Sequence, residues 1–150
     1  MKYIIDGYNV IGKLNHIDLS DPEKETKFLN YLLHAKRPKD MMTIVFDGHR
    51  DYSVYGDRHT SGQLTAIFTP PDQTADDYIK SYCSDLKQKT GILVISSDRD
   101  ILLHSKHLHI NNVTSEAFIK SLVIPKETLE MKPPPTHTDT SYWLNRFRDS

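Results

Sequence analysis

Tyr3-Ile4-Ile5-Asp6-Gly7-Tyr8-Asn9 opens the chain with a short apolar run that stops at an aspartate and a glycine. The same design recurs where Thr43-Ile44-Val45-Phe46 runs into Asp47-Gly48, and where Ile92-Leu93-Val94-Ile95 runs into Ser96-Ser97-Asp98. Between these runs the apolar residues change period. Phe28, Leu29, Leu32 and Leu33 share one helical face, and so do Tyr78, Ile79, Tyr82, Cys83 and Leu86. Strands covered by helices on both faces have no polar side to show, so they read as unbroken apolar runs. Such runs alternating with helical stretches predict an α/β fold with a largely parallel sheet.

The remaining elements fit around that frame. A polar loop is expected after Asp6-Gly7. Ser20-Asp21-Pro22-Glu23 reads as a capping box, with Ser20 as N-cap and Glu23 at the third helical position, and Arg37-Pro38 stops the helix. Gln63 to Phe68 reads as a third strand closed by Thr69-Pro70-Pro71, and Thr74-Ala75-Asp76-Asp77 opens the next helix. A short helix follows the fourth strand, then a weak fifth strand near Leu108-His109-Ile110 and another short helix from about Ser115. One domain is expected over residues 1–121. Residues 122–150 form a tail in which Lys132-Pro133-Pro134-Pro135 is an extended linker, and Trp143 and Phe147 lie on one face of a short terminal helix.

Composition narrows the function. Nineteen Lys and Arg against twenty Asp and Glu leave a net charge of -1 over 150 residues, which excludes binding of nucleic acid by bulk charge alone. A single cysteine, Cys83, excludes an internal disulfide and a cysteine-rich zinc site, and it falls on a buried helix face. No apolar run is long enough to span a membrane, and Asp6-Gly7 interrupts what a signal peptide would continue, so a soluble cytoplasmic protein is expected. Phosphate-loop, dinucleotide and nucleophile-elbow motifs are absent, so no nucleotide cofactor is expected.

Ligands of an open parallel sheet bind outside the carboxyl ends of its strands. Asp6 and Asp47 end the first two strands, Asp98 lies just past the fourth, and Asp76 sits in the first turn of the helix after the third. Each could be explained singly as a helix cap or turn residue. Together they converge on one rim, where two carboxylates about 5 Å apart repel by roughly 3 kcal/mol at an effective dielectric near 20. A hard divalent cation such as Mg²⁺ or Mn²⁺ relieves that repulsion and suits oxygen ligands. Such a site polarises phosphoryl oxygens and activates water.

Four ordered motifs then resemble those of the YacP-like branch of the NYN domain, within the PIN-like nuclease superfamily. They are Ile5-Asp6-Gly7-Tyr8-Asn9-Val10-Ile11, Val45-Phe46-Asp47-Gly48, Thr74-Ala75-Asp76-Asp77-Tyr78-Ile79 and Ile95-Ser96-Ser97-Asp98, and the likeness spans roughly residues 2 to 120. The resemblance implies a three-layer Rossmann-like sandwich with its mainly parallel strands in the order 3-2-1-4-5. It implies metal-dependent endoribonuclease activity, with Asp6, Asp76 and Asp98 as catalytic metal-binding acids and Asn9 beside them. Asp47 and Asp100 are further candidate metal ligands, Asp100 because Ser96-Ser97-Asp98-Arg99-Asp100 resembles a superfamily pattern. YacP-like proteins include ribosome-associated enzymes that cleave mRNA, so RNA and the ribosome are the implied partners.

Substrate contacts are expected from Asn9, Ser96 and the long connection from His49 to Gly62, where Arg50 and Arg58 could pair with phosphates. Tyr8 could stack on unpaired bases, and Lys80 could reach a phosphate or pair with Asp76 four residues earlier. Two rival functions remain at this level: an RNA- or ribosome-binding module without turnover, and a phosphohydrolase of small nucleotides.

Overall fold

The computed structural model describes residues 1–35, 39–48, 58–70 and 72–122. Strand β1 (Lys2–Asp6) lies between β2 (Met41–Phe46) and β5 (Ile92–Ile95), parallel to both. Its sequence explains that central place. Ile4 faces one core and Ile5 the other, and both are fully buried. β2 pairs in parallel with β4 (Leu64–Phe68), and β5 with β6 (Asn111–Val113). The five parallel strands therefore lie in the order β4-β2-β1-β5-β6, which is 3-2-1-4-5 when they are counted along the chain.

Helices fill both outer layers. The short α1 (Gly7–Ile11), α2 (Lys24–Ala35) and α5 (Ser115–Ser121) pack Val10, Ile11, Phe28, Leu29, Leu32 and Phe118 against Ile5, Ile44 and Phe46. On the opposite face, α3 (Ala75–Asp85) and α4 (Arg99–His107) set Ile79, Cys83 and Ile101 against Ile4, Val45 and Val94. Cys83 is thus the small core residue its helical position suggests, and burial pushes its thiol up to about 11. No helix among the described residues is long and apolar enough to cross a membrane.

Four local expectations need correction. The segment after Asp6 is the helix α1 rather than a polar loop. Ser20 does not cap α2, because its N–H and hydroxyl both donate to Asp18 at 2.8 Å. The Asp21 carboxylate instead accepts from the Glu23 N–H at 2.8 Å, and the helix begins at Lys24. The end of the His49–Gly62 connection is a strand, β3 (Arg58–Ser61), antiparallel to β4 at the sheet edge. Gly62, at a φ of +59°, turns the two-residue hairpin between Ser61 and Leu64, a conformation that costs glycine little.

The fifth parallel strand is also displaced. Leu108-His109-Ile110 ends α4 in a Schellman motif, with the Ile110 N–H donating to the Ser105 carbonyl at 2.9 Å and the His109 N–H to that of Lys106 at 3.0 Å. His109 sits at φ 60°, and the strand starts only at Asn111. The Pro-rich tail with Trp143 and Phe147 lies outside the described residues.

Candidate active site

The carboxyl end of β1 is the switch point of the sheet, since the chain moves outward to β2 and β4 on one side and to β5 and β6 on the other. Crevices at such points are where open α/β sheets hold ligands. Asp6 is the last residue of β1 and the N-cap of α1. Loss of solvent pushes its carboxyl up to about 6, and the charges of Asp98 and Asp76 push the same way. The Ser96 hydroxyl, donating to Asp6 Oδ2 at 2.9 Å, and the facing Asn9 backbone amide pull it down without cancelling the rise. Three acids from three separate segments are therefore coupled.

Each of the other two acids has a distinct setting. Asp98 caps α4, its Oδ1 accepting from the Asp100 N–H at 2.8 Å and the Ile101 N–H at 3.3 Å. Its own N–H donates to Ser96 Oγ at 3.0 Å, so Ser96 links Asp6 directly to the Asp98 backbone. Asp76 stands in the first turn of α3, where Thr74 is the cap. Its Oδ2 pairs with the Lys80 ammonium at 3.1 Å, and its Oδ1 is buried without a hydrogen-bond partner among the described residues. Lys80 also approaches Asp100 at 3.9 Å, and the acids around it hold its ammonium above the ordinary lysine range.

Whether this setting suits a cation can be judged from its oxygens. The donor set is all carboxylate, which matches Mg²⁺ or Mn²⁺. An orphaned buried oxygen on Asp76 and a raised Asp6 are both features that a cation would relieve. As the side chains stand, no group of three acids, histidines or cysteines among the described residues closes tightly enough to hold a metal, and Lys80 is the cation lying against Asp76. The donor chemistry thus suits a divalent ion, while in this arrangement Asp76 is paired with Lys80.

Comparison with known proteins agrees with this fold. The model of the YacP-like NYN domain matches residues 3–146. The chain belongs to the YacP-like NYN family. Among solved structures, two crystal structures of Rae1 (YacP) from Bacillus subtilis share the fold, one of them a point variant. The variant is 22% identical at a TM-score of 0.60, covering 86% of this chain and 76% of its own. The other is 23% identical at a TM-score of 0.60, covering 87% and 75%. No curated protein matches. The family is one of PIN-like nucleases, and its match continues past the last described residue into the Pro-rich tail.

Within this YacP-like NYN domain the other anticipated residues fall into three groups. Asp47 follows β2 at the same edge and is half-buried, while Asp100 is largely exposed in the first turn of α4. Ser96 is fully buried, which corrects its expected contact with substrate: its hydroxyl instead bridges Asp6 and the Asp98 backbone. Asn9 is a clamp, its Oδ1 accepting from the Ser97 N–H at 2.9 Å and the Ser115 hydroxyl at 2.6 Å. The Tyr8 hydroxyl donates to Glu25 at 2.6 Å, and its ring packs on Phe46 with the Lys24 ammonium 5.4 Å from its centre. Its stacking face is already in use. Arg50 and the side chain of Arg58 lie outside the described residues. Sequence reasoning missed Ser115, which is 106 residues from the asparagine it holds and carries no motif.

Proposed function

We propose that this chain is a metal-dependent endoribonuclease that hydrolyses RNA phosphodiester bonds, with Asp6, Asp76 and Asp98 as its catalytic acids. The observation that carries the reading is the gathering of Asp6, Asp76 and Asp98 from three separate segments at the carboxyl edge of the sheet, with Ser96 hydrogen-bonded to both Asp6 and the Asp98 backbone. A polyanion binder gains nothing from three clustered carboxylates, whereas a phosphodiester hydrolase needs them.

Asp6, Asp76 and Asp98 would hold Mg²⁺ or Mn²⁺, with Asp47 and Asp100 as outlying acids on the same rim. When bound, the ion supplies Lewis-acid polarisation of the phosphoryl group and activation of water. The chain's own residues do the rest. Asp98 is held rigidly by its cap, so its position is fixed before substrate arrives. Asp6, pushed up to about 6 in the metal-free chain, would give up its proton to the ion it helps to hold. Lys80, released from its pair with Asp76, would be the cation that meets a substrate phosphate. Cleavage should leave 5′-phosphate and 3′-hydroxyl ends. A cytoplasmic setting and recruitment to the ribosome belong to the same proposal, because a net charge of -1 gives the chain little bulk attraction for RNA.

A second reading, an RNA- or ribosome-binding module without turnover, has one observation on its side: Lys80 already neutralises Asp76. Labelled single-stranded RNA, single-stranded DNA and a nucleotide panel, each with Mn²⁺ or EDTA, separate the possibilities. The nuclease reading expects RNA cleavage that EDTA stops and that Asp6→Asn or Asp98→Asn reduces at least about 100-fold. Cleavage that survives both substitutions, or EDTA, would sink it. RNA binding indifferent to metal and without products would establish the second reading, and turnover of nucleotides alone would point to a phosphohydrolase.

A further inference from the structure

The segment carrying Asp98 is held from behind by a closed ring of hydrogen bonds that reaches into α5. The Ser97 N–H donates to Asn9 Oδ1 at 2.9 Å, and the Ser115 hydroxyl donates to that same oxygen at 2.6 Å. The Ser115 N–H returns to Ser97 Oγ at 3.1 Å, which closes the ring. Because a backbone N–H can only donate, Ser97 fixes which end of the Asn9 amide faces it. Ser97 Oγ also donates to Glu116 at 2.8 Å, and Lys13 pairs with Glu116 at 3.7 Å. Ser115 is completely buried, so it cannot touch a substrate.

We propose that α5 is a brace for the catalytic rim and that Ser115 is its positioning residue, locking the Ser96-Ser97-Asp98 segment against α1. Two routes then join Asp6 to Asp98. One is direct through Ser96, and the other runs from α1 through Asn9 to Ser97, with Ser115 tying both of these residues to α5. The first sets the spacing of the two acids. The second prevents the segment from rocking on that single serine, which would carry Asp98 out of register. A site that must hold several carboxylates together against their repulsion needs such a scaffold from outside the rim. The catalytic part of this inference rests on the nuclease reading; the mechanical part does not.

The test uses the full chain with Ser115→Ala, and Ser115→Cys, a weak donor of similar size, if alanine prevents folding. Phe118→Leu serves as a control that loosens the buried side of the same helix without touching the ring. Ser115→Ala should lower kcat for Mn²⁺-dependent RNA cleavage by about tenfold or more at nearly constant KM, as losses of groups that orient metal ligands do. It should also speed amide exchange at Ser97 more than at Ile4 or Val45, while Phe118→Leu, at a similar loss of Tm, should do neither. Unchanged exchange at Ser97, or equal kcat losses in both variants, would overturn the brace. If the wild type fails to cleave RNA, the nuclease reading falls, and the exchange measurement still decides whether Ser115 holds the segment.

Discussion

Asp6 makes the protein less stable than its shape allows. Its carboxyl titrates near 6 instead of 3.8, so between those values the folded chain keeps a proton that the unfolded chain has already released. The sign follows from linkage: this group costs nothing well below pH 4, costs progressively more as pH rises, and costs its full amount, about 3 kcal/mol, above 6. Asp6→Asn in EDTA should therefore melt above the wild type near pH 7.5 and lose most of that advantage near pH 4. Equal differences at both pH values in thermal melts would mean that Asp6 is not raised. Its neighbour Gly7 is constrained in another way. A Cβ there would lie 2.5 Å from the Phe46 ring and 3.1 Å from Ile44, with Phe46 itself wedged between Tyr8 and Phe68. Gly7→Ala should cost about 1–3 kcal/mol in urea unfolding because the ring has nowhere to go. The glycine of this Asp-Gly pair is thus a packing residue, not a turn residue, which the sequence alone does not distinguish.

At the scale of elements, legibility tracks burial. β1, β2, β4 and β5 stand out because each is covered by helices and must be apolar throughout. β3 escaped because an edge strand of Arg58-His59-Thr60-Ser61 needs no apolar run to pair through its backbone. α1 escaped because five residues barely complete one turn and show no period. β6 was misplaced by three residues because the apolar pair Leu108 and Ile110 serves the end of α4, with Ile110 buried in the core beneath that helix. That motif makes its own prediction. His109 holds a left-handed conformation that costs a side-chain-bearing residue energy and costs glycine little. His109→Gly should raise stability by about 0.5–1 kcal/mol, seen as a higher urea midpoint at constant slope, and a lower midpoint would show that the imidazole makes a contact worth more than the strain.

Across the whole molecule, the acids of the candidate site were legible because topology alone brings the ends of parallel strands to one edge. The groups that tune and hold them were legible only in part: the four-residue spacing of Lys80 from Asp76 already offers their ion pair, whereas Ser115 acts across 106 residues through a distance that only the packed layers define. This division shapes what a divalent ion should do to the folded chain. Ligand that binds only the native state stabilises it by about 2.7 kcal/mol at one hundred times its dissociation constant, and in a domain of this size each kcal/mol moves Tm by about 2–4 °C. Mn²⁺ at pH 7.5 should therefore raise Tm by about 5–10 °C at that saturation, reversibly with EDTA. The gain should shrink below about pH 6, where Asp6 holds its proton against the metal. Lys80→Met removes the ammonium that already lies against Asp76, so it should lower the Mn²⁺ concentration needed for half the shift while impairing RNA cleavage. If the melting temperature of both wild type and Lys80→Met ignores Mn²⁺ at this pH, Asp6, Asp76 and Asp98 do not share an ion, and the rim must be explained by Lys80 alone.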